Sequence, residues 1–237
     1  MYNSIKLILM IEGRCVIIGL DMYLNKYPRY KDAKPEDIYT LEEYLGWKGT
    51  ENEKKYTFEK WCGHSEDEIR PDFLKFYTPY NIHRYSNWDT KHEYGYNSII
   101  QQVGYWRKAN QIHNWFVENV QNGVDDCGAY EVNEYQLQEL LDLCKRVQDK
   151  AVLVHGQIKN GERLVNEKWE PIYEEGDYIE NSEEIAELLP SCDGFFFGGT
   201  AYDEYYLNDV KDTIEILKKV LRETDFEKEV VFYHASW

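Results

Sequence analysis

The sequence predicts an α+β protein in which two to three long amphipathic helices pack on a small, mostly antiparallel sheet, after an aromatic-rich irregular N-terminal segment. Three observations carry this expectation: windows with apolar residues at helical spacing, an Asn-Gly pair between two β-rich runs, and short apolar runs near both ends. With 237 residues the chain has the length of one large domain or two small ones, and enough material for a real core. Asp and Glu number 44 against 27 Lys and Arg, a formal charge of −17. A protein that neutralises nucleic-acid phosphates needs the opposite balance, so backbone binding to nucleic acid is not expected. Aromatic residues make up 16% of the chain, with 21 Tyr, 9 Phe and 7 Trp, and at 43% apolar it is no disordered acidic tail.

The elements follow in order. Leu7–Ile11 is too short an apolar run to span a membrane and is interrupted by Glu12 and Arg14, so no membrane association is expected. Cys15–Leu20 reads as a buried strand. From Asp21 to about Arg84, short helices and ordered loops are expected around Tyr44, Trp47 and Trp61, with a capping box at Thr40 and Glu43. Tyr105, Ala109, Ile112, Phe116 and Val120 define a helix over 105–120, stopped by Asn122-Gly123. After a loop over 124–132, Asn133 and Gln136 cap a helix whose Leu137, Leu140, Leu141, Cys144 and Val147 face inward, and these two helices are expected to pack together.

Ala151–Ile158 and Arg163–Trp169 flank Asn160-Gly161, a hairpin signal. Ser182–Leu188 reads as a short helix ended by Pro190, and Gly194–Phe197 as a brief strand. Gly198-Gly199-Thr200 then leads into a long helix from about Tyr202 to Arg222, with Leu207, Val210, Ile214, Leu217 and Leu221 on one face. Val230–His234 is the last strand. The five cysteines are odd in number and scattered, with no C-x-x-C pair, which points to a reduced cytoplasm.

Four blocks carry a resemblance: Gly19–Leu24; Gly104–Asn110 with Ile112-His113 and Trp115-Phe116; Asp125–Cys127; and Gly194–Gly198 running into Tyr202–Tyr206. In content and order they resemble a family of uncharacterised proteins encoded by bacteriophages and prophages. The resemblance implies a host-cytoplasmic protein and brings no established activity. It covers residue 19 onward, so residues 19–237 are expected to form a single α+β domain and residues 1–18 an extension whose place in the native protein the sequence leaves open.

On the expected helix over 105–120, Trp106, Asn110 and His113 form a polar-aromatic stripe beside the apolar face, with Arg107 further round. One reading is a receptor for a small anionic ligand: Arg107 and His113 meet its charge, Asn110 orients it and Trp106 stacks on a ring. The other is a satisfied structural network. Gly198, Gly199 and Thr200 offer free backbone N–H groups before a helix, with Tyr202 adding a hydroxyl or a ring. Asp203 and Glu204 already supply negative charge there, and the turn is not a P-loop.

Asp125 and Asp126 near His113 make these three candidates for His/Asp-dependent, possibly metal-assisted, hydrolysis, set against ordinary turn chemistry. No metal site and no cofactor is assigned. Three classes therefore stand: a protein binding a phosphorylated or nucleotide-like ligand to sequester or sense it, a hydrolase, and an acidic protein that binds or inhibits a host protein.

Overall fold

The computed structural model describes residues 8–11, 14–17, 19–80, 82–86, 94–165, 168–194 and 197–237. In chain order it has strands β1 (Ile8–Ile11), β2 (Arg14–Ile17) and β3 (Asp21–Pro28), then helices α1 (Pro35–Trp47), α2 (Glu51–Lys55), α3 (Phe58–Cys62) and α4 (Pro71–Tyr77). Strands β4 (Ile82–Ser86), β5 (Tyr94–Ser98) and β6 (Gln101–Arg107) follow, then helix α5 (Asn110–Asn119), strand β7 (Ala129–Glu131) and helix α6 (Glu134–Lys150). Strands β8 (Leu153–Val165) and β9 (Lys168–Ile179), helices α7 (Ser182–Leu188) and α8 (Glu204–Glu223), and strand β10 (Glu229–Ser236) complete it.

The fold is α+β, as the sequence predicts. A four-stranded sheet in the order β6-β3-β10-β7 forms its centre, with every neighbouring pair antiparallel. Alternation along the strands gives the sheet two apolar faces. On β10, Val231, Tyr233 and Ala235 join a core with α5 to α8, while Val230 and Phe232 join a second core with α1 and α4. Burial on both faces makes β10 a nearly continuous apolar run.

The two longest helices form as their sequences dictate. In α6, Asn133 and Gln136 make the reciprocal capping box, and Leu137, Leu140, Leu141, Cys144 and Val147 are all buried. In α8, Asp203 accepts the N–H groups of Tyr205 and Tyr206, and Leu207, Val210, Ile214, Leu217 and Val220 bury one stripe. These helices pack against each other, so the chief helical partner of α6 is α8 rather than the expected α5. Among the described residues no helix is long and apolar enough to cross a membrane.

Several boundaries differ from expectation, each for a local reason. The helix expected over 105–120 is strand β6 followed by α5: Gly104 and Trp106 turn into the core, Tyr105 and Arg107 turn out, and Lys108 at φ 61° breaks the chain between the two elements. The helical stripe holds only for Ala109, Ile112 and Phe116. The box at Thr40 and Glu43 is displaced, because α1 starts earlier, with Asp37 accepting the backbone N–H of the N-cap residue Lys34, and the Thr40 hydroxyl donates back to the Glu36 carbonyl. The strand that enters the central sheet is β3, not Cys15–Leu20; within that stretch Cys15–Ile17 belongs to β2, which pairs with β1, and Ile18 lies outside the described residues.

Asn160-Gly161 does not turn the hairpin. β8 runs through it with a register shift between Lys159 and Glu162, and Gly161 at φ 98° takes the left-handed geometry of a bulge. The arm is therefore longer than expected. Gly194 and Phe197 lie in irregular chain, with the Phe197 N–H donating to the Gly194 carbonyl, and Phe195 and Phe196 lie outside the described residues. The loop over 124–132 contains the short strand β7.

Candidate functional site

Strand pleating separates the residues that the expected helix had placed together. Trp106 points into the core, 4% exposed, and its indole N–H donates to the Thr213 hydroxyl at 2.9 Å. Arg107 points the other way: its Nη1 donates to Asp21 at 3.0 and 3.2 Å, and the Tyr105 hydroxyl donates to the same carboxylate. Asn110 is buried and braces the chain opposite it, its amide N–H donating to the Gly199 carbonyl at 2.8 Å and its oxygen accepting from the Cys192 N–H at 3.2 Å. Trp106 and Asn110 are thus structural, and the stacking and orienting roles expected for them are corrected.

His113 is 1% exposed. Its Nδ1 lies 2.7 Å from the Tyr233 hydroxyl, and its Nε2 lies 3.2 Å from Asp125 Oδ2, out of line for a good hydrogen bond. Assigning the ring proton to Nε2, which faces Asp125, leaves Nδ1 to accept from Tyr233. Burial pushes the imidazole below its ordinary value, against the pull of Asp125. Asp125 also accepts the Trp237 indole N–H at 3.0 Å. His113 and Asp125 therefore meet as the sequence suggests, but a ring this enclosed offers neither nitrogen to a substrate. Asp126 turns away to accept from the Gly128 N–H and the Tyr130 hydroxyl, both at 2.9 Å. Among the described residues no cluster of three His, Cys, Asp or Glu side chains could hold a metal ion.

The remaining candidates converge elsewhere. A cleft of about 590 Å³ opens between the β8–β9 arm and the start of α8, and Arg107, Lys108, Gly198 and Gly199 line it. That volume suits a nucleotide-sized ligand. Lys108 is exposed and makes no ion pair among the described residues. Its left-handed backbone costs of order 1 kcal/mol. Gly198 sits against it at φ 97°, where an added Cβ would lie 3.1 Å from Lys108 Cβ and 3.3 Å from its carbonyl oxygen. A left-handed lysine thus packs against a glycine at positive φ in the cleft wall.

Among the described residues no acceptor bonds to the N–H of Gly198, Gly199 or Thr200. Two of these donors, on Gly198 and Gly199, belong to residues that line the cleft. Thr200 and Tyr202 do not line it: Thr200 is exposed, and the Tyr202 hydroxyl accepts the Ser191 N–H at 3.0 Å while its ring tilts over Tyr206. The terminus of α8 is taken by its own cap, Asp203. An anion here would meet Lys108, Arg107 and the glycine amides rather than the helix end.

Three carboxylates, Glu174, Asp203 and Asp209, line the same cleft, and the sequence reading missed Glu174 and Asp209. Asp209, in the second turn of α8, lines it half-buried, and its one hydrogen-bond partner among the described residues is the buried Gln111 amide, donating at 3.3 Å. Burial pushes the carboxyl up to about 6, with Asp212 and Asp203 adding to the rise and Gln111 opposing it. Tyr205 is 62% exposed at the same wall. The signal available was the polar flank of the α8 stripe, where Asp209 falls beside Val210. Comparison with protein-family profiles, curated proteins and solved structures returns no match.

Proposed function

We propose that this protein, one of a phage-type group, binds a small phosphorylated or nucleotide-like anion in the cleft between the β8–β9 arm and α8, to sequester or sense it. The observation that carries the reading is the convergence in one nucleotide-sized cleft of Lys108, which makes no ion pair among the described residues, with the N–H groups of Gly198 and Gly199, to which no acceptor bonds among those residues. Charged and backbone donors on a fixed frame are what phosphate recognition requires. Arg107 adds a second cation whose geometry Asp21 holds. The left-handed backbone of Lys108 supports the same reading, because uncommon backbone conformations of non-glycine residues concentrate at ligand sites.

Calorimetric and thermal-shift titration against nucleoside monophosphates, cyclic nucleotides and inorganic phosphate tests it. Saturable binding is expected, weakened at least about tenfold by Lys108→Asn, a residue that tolerates the left-handed backbone. Absence of binding across the series would remove the proposal.

A second reading, an acidic protein that binds or inhibits a host protein, is favoured by the arm. Among the described residues β8 and β9 form a two-stranded sheet, bridged to the rest of the fold at Tyr178 and Asp203, and Leu164, Trp169 and Tyr173 are 59%, 66% and 58% exposed. An exposed aromatic patch on an open-edged hairpin is a surface that protein partners use. A host-lysate capture lost on Trp169→Ser would support it, and capture unchanged by that substitution would oppose it.

A further inference from the structure

The carboxylates in the cleft lining constrain what a ligand carries besides its anionic group. A ligand recognised only by its anionic group would gain nothing from a carboxylate in the same cleft and would be repelled by it. Asp209 nevertheless lines the cleft, and among the described residues its side chain accepts one long hydrogen bond, from Gln111, although a carboxylate offers acceptor sites on both oxygens. The side chain therefore has capacity for donors brought by a ligand. Gln111 fixes one oxygen, and the neighbouring Tyr205 exposes an aromatic face on which a planar ring can stack.

Nucleobases differ in what they present to a carboxylate. Guanine has an N–H and an amino group side by side, two donors matched to two acceptors. Adenine and cytosine place one amino group beside an acceptor nitrogen whose lone pair faces the second oxygen, and uracil places a single N–H between two carbonyls. We infer that the cleft is selective for guanine nucleotides, with the phosphate on Lys108 and the Gly198–Gly199 amides and the guanine N–H edge on Asp209. This rests on the cleft being an anion site, as proposed above. The burial that raises Asp209 fits it: two donors from a ligand would add hydrogen bonds to the half-buried carboxylate and favour its ionised form.

The test is calorimetric titration of the full chain with guanosine, adenosine, cytidine and uridine monophosphates near neutral pH, repeated with Asp209→Asn. Guanosine monophosphate is expected to bind at least about tenfold tighter than the others. The amide variant presents one donor and one acceptor, so it is expected to lose that preference and to favour xanthosine monophosphate, whose edge has one N–H beside one carbonyl. A second measurement needs no variant: guanine preference in the wild type is expected to fall as pH drops through about 6 and Asp209 takes up a proton. Equal binding of all four nucleotides that still depends on Lys108 would overturn guanine selectivity and leave the anion site standing. Guanine preference that survives both Asp209→Asn and the fall in pH would overturn the role of Asp209. Absence of binding by any nucleotide would overturn the anion site and the selectivity together.

Discussion

Replacing Asp209 with asparagine is expected to stabilise the protein at neutral pH while weakening its nucleotide binding. Burial raises this carboxyl from 3.8 to about 6, so the fold favours its protonated form. At roughly 1.4 kcal/mol per unit, that rise corresponds to about 3 kcal/mol. The side chain opens onto a wide cleft, and solvent screening reduces the figure to about 1–2 kcal/mol. A raised carboxyl contributes stability that is fully present below 3.8 and is lost as pH climbs through about 6. The neutral amide escapes that loss, so the two proteins should be nearly equally stable at about pH 4, diverge as pH rises to about 6 and keep a constant gap above it. Urea unfolding measures this directly. At neutral pH the variant midpoint should rise by roughly 0.5 M with an unchanged slope. A lower midpoint at neutral pH, or the same gain at both pH values, would refute the reasoning. Stability gained at the expense of binding is the signature of a residue kept for function.

Three further outcomes follow from neighbouring groups. Tyr233→Phe leaves the buried His113 Nδ1 without its donor and should cost about 1–3 kcal/mol, read as a fall in the thermal midpoint; an unchanged midpoint would contradict the hydrogen-bond assignment. Burial lowers His113, so its contribution to stability is present above 6.5 and is lost as pH falls through the depressed folded value; His113→Gln should flatten the pH dependence in that window, and urea midpoints with the wild-type slope there would count against it. Gly198→Ala forces a side chain into a left-handed position 3.1 Å from Lys108 Cβ. It should destabilise by about 1–2 kcal/mol and weaken nucleotide binding, so a variant with wild-type unfolding and titration would show that neither the conformation nor the contact matters.

Much of the architecture was legible wherever one element explained its own pattern. The α6 stripe and its Asn133–Gln136 box, α7, the α8 stripe and the β10 run all depend on local periodicity and capping, and all are found. The failures are places where tertiary contacts override a local pattern. Tyr105 falls on the helical spacing of Ala109, Ile112 and Phe116 by accident, because β6 alternates against β3 through Trp106 and Gly104 before Lys108 breaks the chain. Asn160-Gly161 is a strong turn signal that a longer strand absorbs as a bulge. β3 was hidden because Asp21, Asn25 and Lys26 are polar yet buried, paired with partners distant in sequence: Asp21 with Arg107, and Lys26 with Glu229.

The candidate site divides the same way. Arg107, Gly198 and Gly199 reach the cleft, whereas Trp106, Asn110 and His113 are drawn into the core, and Asp209 was invisible until the arm and α8 defined a cavity around it.

The most direct measurement is a two-dimensional amide spectrum of the labelled protein recorded through a guanosine monophosphate titration. The N–H signals of Gly198 and Gly199 should move first and furthest, with saturation matching the calorimetric affinity, and those of α1 and α4 should stay in place. A spectrum in which the glycine signals hold still while nucleotide reaches millimolar levels, or in which the largest shifts fall on the far face of the sheet, would contradict an anion site at this cleft.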